Sequence, residues 1–411
     1  MEENRMNPND VRIVRELAKR YMEAVCSEKQ RKANQRMKDT NDLKIVRPPV
    51  IMDEIPWYQM NIDNELTCLC QDPRIRNLES NLRIALFRIK HFRCDAILDP
   101  FLRISKAYDS TGNGLLVRED IVRTDDENHI VSHQYQDILE EEDAVAQIRV
   151  PEFTLRPDKD EEAMNFYTDL LGDAMPVYLS GCGCTYTAPW DHIPRYLSVE
   201  NNFFDYYDRP EHLHNIRRKF NEGIIAESDF LEANGMFEPS CTNLHCTPGA
   251  VSGLAQSGTK AAWYRGMAQP LSDISPEMFE EFEIAYAKPV AERFANTYYG
   301  CCEPLHNRMH VVKKISNLRK IGVSPWADEE SSGEQIGKNY VYARKPNPAY
   351  VAMVTDPESV RLETEKTVKI AQKYGCPLEF VLKDISTVKN DPQRLWRWSE
   401  IALEETKNAV L

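Results

Sequence analysis

Two adjacent thiols and a carboxylate, Cys301-Cys302-Glu303, directly follow the β-like run Thr297–Tyr299. Neighbouring cysteines rarely pair with each other, because a disulfide needs a compatible Cα separation and Cβ direction. That leaves metal binding or nucleophilic chemistry. Other reactive types cluster where short apolar runs end: Cys182 and Cys184 in SGCGCTYTAPWDH, Cys241, His245 and Cys246 in CTNLHCTPG, and the polar stretches SPWADEE and ARKPNP. Zinc favours thiolate, imidazole and carboxylate donors, and a catalytic zinc keeps one position open. No CxxC pair exists, so a zinc finger or ribbon is not expected, whereas ligands drawn from separate strand ends remain open. A free cysteine is more often a small buried hydrophobe, and Cys182, Cys184, Cys241 and Cys246 read that way. Cys301 and Cys302 would face opposite sides of a strand, one toward a mouth and one toward a helix. His306 and His310, four apart, read as one face of a surface helix.

Strand candidates are 94–99, 176–181, 297–301, 319–324, 340–343 and 379–385. Helices separate them. One is expected from Asp208 and Pro210 to Gly223, with Leu213, Ile216 and Phe220 as its apolar stripe. Another runs from Asp356 and Pro357 to Gly375, and a last one covers 392–408. Residues 8–37 form an amphipathic helix through Val11, Val14, Leu17 and Tyr21, followed by the connector RPPVIMDEIPW. Alternation of this kind predicts a parallel sheet with helical crossovers. At this length the expectation is a TIM (β/α)8 barrel over 80–411, with residues 1–79 as a helical extension. Neither GxGxxG nor GxxxxGK[ST] occurs, which removes the usual support for a nucleotide fold. The acidic run ILEEEDAVAQ reads as a solvated face.

The 411 residues carry 65 acidic and 51 basic side chains, a net charge of −14. That excludes a nucleic-acid footprint. No run of about 18 apolar residues suggests a membrane span. The charged first residues lack the apolar core of a secretory signal. Eleven scattered cysteines fit reduced thiols, so a cytoplasmic protein is expected.

The segment Trp263–Pro325 resembles the uroporphyrinogen decarboxylase-like superfamily, in particular its cobalamin-dependent methyltransferase branch. The residues that carry the resemblance are Asp273, Ser275, Pro276, Phe279, Phe282 and Pro289 in SDISPEMFEEFEIAYAKPVAERF, then Tyr299-Gly300-Cys301 at the place of a His-x-Cys motif. VENNFFDYYDRPEHLHNI is similar to the family's upstream segment. The likeness spans 80–408, with its strong motifs in 196–330. It implies a TIM barrel and either decarboxylation or zinc-dependent methyl transfer. The arginine-rich segment of the decarboxylases is absent, which favours the second. Tyr299 replaces the family's histidine. Ether-demethylating relatives place an Asp 28 positions before the Cys, as Asp273 stands to Cys301, while their next Cys, 40 positions on, corresponds to Val341.

The resemblance thus implies zinc bound by Cys301 and Asp273, with Glu303 and Cys302 completing the set. Tyr299 or Glu303 would serve as proton donor to the departing oxygen or nitrogen. Trp190, Trp263, Tyr264 and Trp326 are candidates to wall an apolar substrate pocket. No Asp-x-His-x-x-Gly segment anchors a corrinoid, so the cobalamin must arrive on a partner protein. A homodimer stays open. Two other readings stand beside this one: a metal-independent decarboxylase or lyase using Arg265 and Arg344 for carboxylates, and a binding protein that has lost the site.

Overall fold

The computed structural model describes residues 6–122, 132–239, 243–353 and 356–407. Its centre is one parallel sheet. We label its strands β1 (Val50–Met52), β2 (Cys184–Thr187), β3 (Trp263–Gly266), β4 (Asn296–Tyr299), β5 (Leu318–Val323), β6 (Val341–Arg344) and β7 (Leu378–Leu382). The hydrogen-bonded order is β1-β7-β6-β5-β4-β3-β2. This is the α/β alternation expected, but not a closed eight-stranded ring. Among the described residues β1 and β2 are edges, and no strand joins them.

The segment 243–250 links the two sides instead. From β3, Trp263 Nε1 donates to Gly249 O at 2.9 Å and Arg265 Nε to Leu244 O at 3.0 Å. Thr247 donates to Glu379 of β7 at 3.0 Å, and Lys320 of β5 donates to Thr247 at 3.2 Å. Before β1, Asn41 donates to Pro248 O and Ala250 O.

Strand alternation sorts the sheet's side chains into two populations. Arg265, Tyr298, Lys320 and Glu379 face inward, where Lys320 and Glu379 form a fully buried ion pair at 2.8 Å. Such a pair must recover a large desolvation cost through its contacts. Thr247 and both Glu379 oxygens supply them. Tyr264, Tyr299, Ile321, Tyr342 and Phe380 face outward into the main apolar layer beneath the helices.

The helices used below are α1 (Pro8–Val25), α2 (Glu28–Asn41), α3 (Pro73–His91), α4 (Pro157–Leu171), α5 (Pro210–Ala233), α6 (Pro357–Tyr374) and α7 (Gln393–Lys407). The single helix expected over 8–37 is two. Ser27 Oγ accepts from Gln30 N at 3.2 Å and starts α2 afresh. Helix α5 passes Gly223 and continues ten residues further, to Ala233. Gly223 is a point of close approach rather than a stop, since a Cβ there would lie 3.2 Å from Pro151. Helix α6 has the expected ends: Asp356 accepts from Ser359 N at 3.0 Å, and Gly375 is left-handed at φ 67°.

Two expected strands lie elsewhere. Residues 177–180 pair with Leu102–Ser105, outside the main sheet. Residues 94–99 form no strand; Asp95 anchors the start of β1, its N donating to Val50 O at 2.7 Å and its Oδ2 accepting from Val50 N at 3.0 Å. The segment expected as an extension therefore supplies an edge strand of the sheet. Its helix α1 packs through Val14, Leu17 and Ala18 in a cluster with Leu78 and Leu82 of α3 and Leu170 and Leu171 of α4.

Candidate functional site

All seven strands are parallel, so their carboxyl ends open on one side, where α/β folds collect reactive groups. Glu54 stands two residues past β1, Cys301 two past β4, and Asp384 two past β7. His245 and Cys246 come from the linking segment. Donor atoms of Glu54, His245 and Cys246 all lie within 4.8 Å of one another. Cys246 Sγ is 3.4 Å from Glu54 Oε1, and Cys301 Sγ is 3.5 Å from His245 Nε2.

These separations test whether a metal fits. Tetrahedral zinc with bonds of about 2.0–2.3 Å holds its donors roughly 3.3–3.8 Å apart. Glu54, His245 and Cys246 offer one carboxylate oxygen, one imidazole nitrogen and one sulfur, a set of the right chemistry within 4.8 Å of one another, and Cys301 Sγ adjoins it through His245 Nε2. Cys302 Sγ lies 3.7 Å from Cys301 Sγ, while donating toward Asp384 Oδ2 at 3.6 Å. Lys383 closes the rim, its Nζ 2.7 Å from Asp384 Oδ2, 3.2 Å from Glu54 Oε2 and 4.0 Å from Cys302 Sγ.

The backbone here is held in costly conformations. Among the described residues nine non-glycine positions have positive φ, and four of them are Glu54 (48°), His245 (67°), Cys246 (68°) and Asp384 (57°). Each such residue costs of order 1–3 kcal/mol and persists only where its surroundings over-determine it. Gly300, at φ 95°, turns the chain into Cys301; a Cβ there would meet Leu305 Cδ1 at 2.4 Å.

Cys301 is buried against Ala188 and Met267. Its thiol is held well below the ordinary range. The hydrogen bond with Cys302 is the main cause; burial opposes it, and His245, Lys345 and Arg265 add to it. Cys302 is driven upward by the same bond and by burial. Beneath the pair, Arg265 Nη2 donates to Gly300 O at 2.9 Å, and Lys345 Nζ donates to Tyr298 Oη at 3.1 Å.

The residues singled out from sequence divide clearly. Cys301 and Cys302 belong to the cluster. Glu303 is fully buried beside it, but its oxygens accept from Cys301 N at 2.8 Å and Ala268 N at 3.2 Å. Burial first, then the nearby Cys301, raises its pKa. It fixes the thiol loop rather than facing the donors. Asp273 is exposed and lies outside the donor group. Tyr299, expected as a proton donor, faces outward and donates to Glu283 at 3.0 Å; its neighbour Tyr298 faces inward.

Among the substrate candidates, Trp190 is buried in the outer layer, donating to Phe282 O at 3.1 Å. Tyr264 is also outward, and accepts from Thr187. Trp263 is inward but packs on the linking segment. Arg265 spends its donors on four backbone carbonyls, Leu244, Gly266, Tyr298 and Gly300. Arg344 faces outward to Glu329 and Glu363. Trp326 is 69% exposed on the loop after β5. Cys182 donates to Cys184 O, Cys184 is half-buried, and Cys241 lies outside the described residues. His306 is half-buried and His310 exposed. The aromatic beside the cluster is Tyr186, half exposed, with its ring 5.7 Å from the His245 ring.

Sequence reasoning left His245 and Cys246 out of the metal set, reading Cys246 as a buried hydrophobe, and it missed Glu54, Lys383 and Asp384. The acidic pair Asp53-Glu54 directly after VIM was the available signal for Glu54, and Lys383-Asp384 at the end of a strand run was the signal for the last two.

Among the described residues no helix is long and apolar enough to cross a membrane. No protein-family model matches the sequence, and no curated protein matches it. Among solved structures the chain resembles a methyltransferase from Methanosarcina mazei, at a TM-score of 0.50 and 10% identity. The match covers 92% of this chain and 98% of that one. At that identity the likeness is one of fold.

Proposed function

We propose that this chain is a methyltransferase that moves a methyl group from a small O- or N-methylated compound to a corrinoid protein, at a zinc site formed by Glu54, His245, Cys246 and Cys301. The observation that carries the reading is this sulfur, nitrogen and oxygen set at the carboxyl ends of parallel strands, on backbone strained at Glu54, His245 and Cys246. The fold likeness to a methyltransferase points the same way.

The methyl leaves as a cation equivalent, and the oxygen or nitrogen it departs keeps the bonding electron pair. Zinc bound here would supply Lewis acidity to that atom. The protein's own groups do the rest. Glu303 and Gly300 fix Cys301 in its turn. Lys383, buried, ties Glu54 and Asp384 together beside the donors. Tyr186 and Met267 give the site an apolar side. A reduced corrinoid carried by the partner would supply the electron pair that accepts the methyl.

The test mixes zinc-loaded protein with cob(I)alamin and a panel of methoxylated aromatics and methylated amines. Methylcobalamin is expected to form with at least one donor and to be lost in Cys301→Ala. Carbon dioxide release from a carboxylated compound, without corrinoid, would overturn the proposal in favour of a lyase. A wild type that takes up no zinc when zinc is supplied, and forms no methylcobalamin, would overturn it in favour of a binding protein.

A further inference from the structure

At the amino end of β1, away from the thiol cluster, lies a cavity of about 590 Å³ between α2, the end of α3, residues 92–96 and α7. Its floor is apolar, formed by Ala33, Ile89, Phe92 and Leu403. Its walls are basic in a chain whose net charge is −14. Arg36 and Arg47 both reach the one buried carboxylate of Asp95, at 2.5 and 2.8 Å. One negative charge therefore faces two guanidinium groups. Lys32 is taken by Glu28 at 2.7 Å, and Arg88 lies 3.7 Å from Asp53. Lys29, Arg93 and Lys407 line the same cavity with no acidic partner among the described residues. Seven cations line the cavity with Asp95, Glu400 and Glu404; since Glu28 and Asp53 offset Lys32 and Arg88, the positive surplus rests on Lys29, Arg93 and Lys407.

We infer that this cavity binds a phosphorylated small molecule with an apolar body. The volume suits a small ligand, within the usual range of about 300–1,000 Å³. The concave shape does not suit a duplex or a flat membrane surface. Guanidinium forks match phosphate oxygens in pairs; Arg47 is committed to Asp95 and to Pro48 O, and the fork open for that role is that of Arg93. The apolar floor selects a ligand with more than a bare anion. The proposal does not depend on methyl transfer, because the cavity shares no residue with the thiol cluster.

Calorimetric titration of the full chain with ADP, pyrophosphate, citrate and adenosine tests it. ADP is expected to bind most tightly and pyrophosphate more weakly, adenosine and citrate not to bind, and ADP affinity to fall with added salt. The double variant Lys29→Gln/Arg93→Gln changes two exposed side chains without acidic partners and should fold normally. ADP affinity should drop about tenfold or more in it. Lys373→Gln, a change far from the cavity walls, should leave affinity unchanged. Failure of both ADP and pyrophosphate to bind would overturn the inference. So would tight citrate binding in place of ADP, or ADP affinity undiminished in the double variant.

Discussion

Cys301 Sγ and His245 Nε2 meet at 3.5 Å across 56 residues of sequence. One atom stands on a loop fixed to a strand, the other on a segment outside the ladder. Their contact defines the centre of the candidate site, and the expectations below depend on it.

Protein purified without chelators is expected to carry one zinc ion per chain. Cys301→Ala and His245→Ala should each lose most of it, since a methyl group replaces neither a thiolate nor an imidazole. Asp273→Ala should keep it, because that carboxylate lies outside the donor group. Elemental analysis decides. Full zinc in Cys301→Ala, or its loss in Asp273→Ala, would place the metal elsewhere.

Glu303→Gln keeps the shape but gives up the charge on the group that accepts from Cys301 N and Ala268 N. Supporting groups of this kind typically tune metal affinity by about 10–100-fold. A loss in that range is expected in a competition titration against a zinc chelator, with the thermal midpoint little changed. An affinity equal to wild type would show that the loop holds its turn unaided.

Tyr298 and Tyr299 should respond differently to loss of their hydroxyls. Tyr299→Phe removes the bond to Glu283, which keeps Arg217 at 3.1 Å, and should cost about 1 kcal/mol of stability with methyl transfer intact. Tyr298→Phe removes the acceptor of Lys345 beneath the thiols and should reduce turnover. Unfolding curves and the methylcobalamin assay, run on both variants, separate the two. A Tyr299→Phe enzyme that folds but is dead would restore that hydroxyl to the chemistry.

Glu79 gives a pH signature remote from the site. Burial raises its pKa, but bonds from Cys70 N at 2.8 Å and Leu69 N at 2.9 Å, with Arg83 at 2.7 Å, outweigh burial and hold it below the ordinary range. A depressed carboxylate stabilises the fold above its unfolded pKa, and that contribution is lost as pH falls through the folded value. At neutral pH, Glu79→Gln is expected to cost about 1.5–3 kcal/mol. The gap to wild type should close as pH drops below the ordinary glutamate value of about 4.3. Urea midpoints measured down this range test the sign; a widening gap would reverse it.

Strands β4 to β7 showed as apolar runs, and Asp356, Pro357 and Gly375 marked both ends of α6. Strands β2 and β3 are as long as β4 and β6, but CTYT and WYRG mix small polar, charged and glycine residues and do not read as apolar runs, and β1 has only three residues. Buried Arg265, Lys320 and Glu379 also broke the continuous apolar signature that a parallel sheet normally shows. Within the site, the doubled thiol drew attention to Cys301. Glu54 and Asp384 were single acids among 65 and became significant only when three distant strand ends came together. The inward or outward choice at Tyr298 and Tyr299 depends on a one-residue register that spacing alone does not set.

The linking segment 243–250 has an evolutionary consequence. Cys301 and Glu54 follow strands whose register the sheet dictates. His245 and Cys246 ride on a stretch that belongs to no strand, so they can be exchanged without altering a ladder hydrogen bond. The molecule thus divides its centre into an inherited half and a renewable half. Descendants could acquire a different metal or a different substrate by exchanging His245 and Cys246 alone, while Thr247 keeps its place beside the buried Lys320–Glu379 pair.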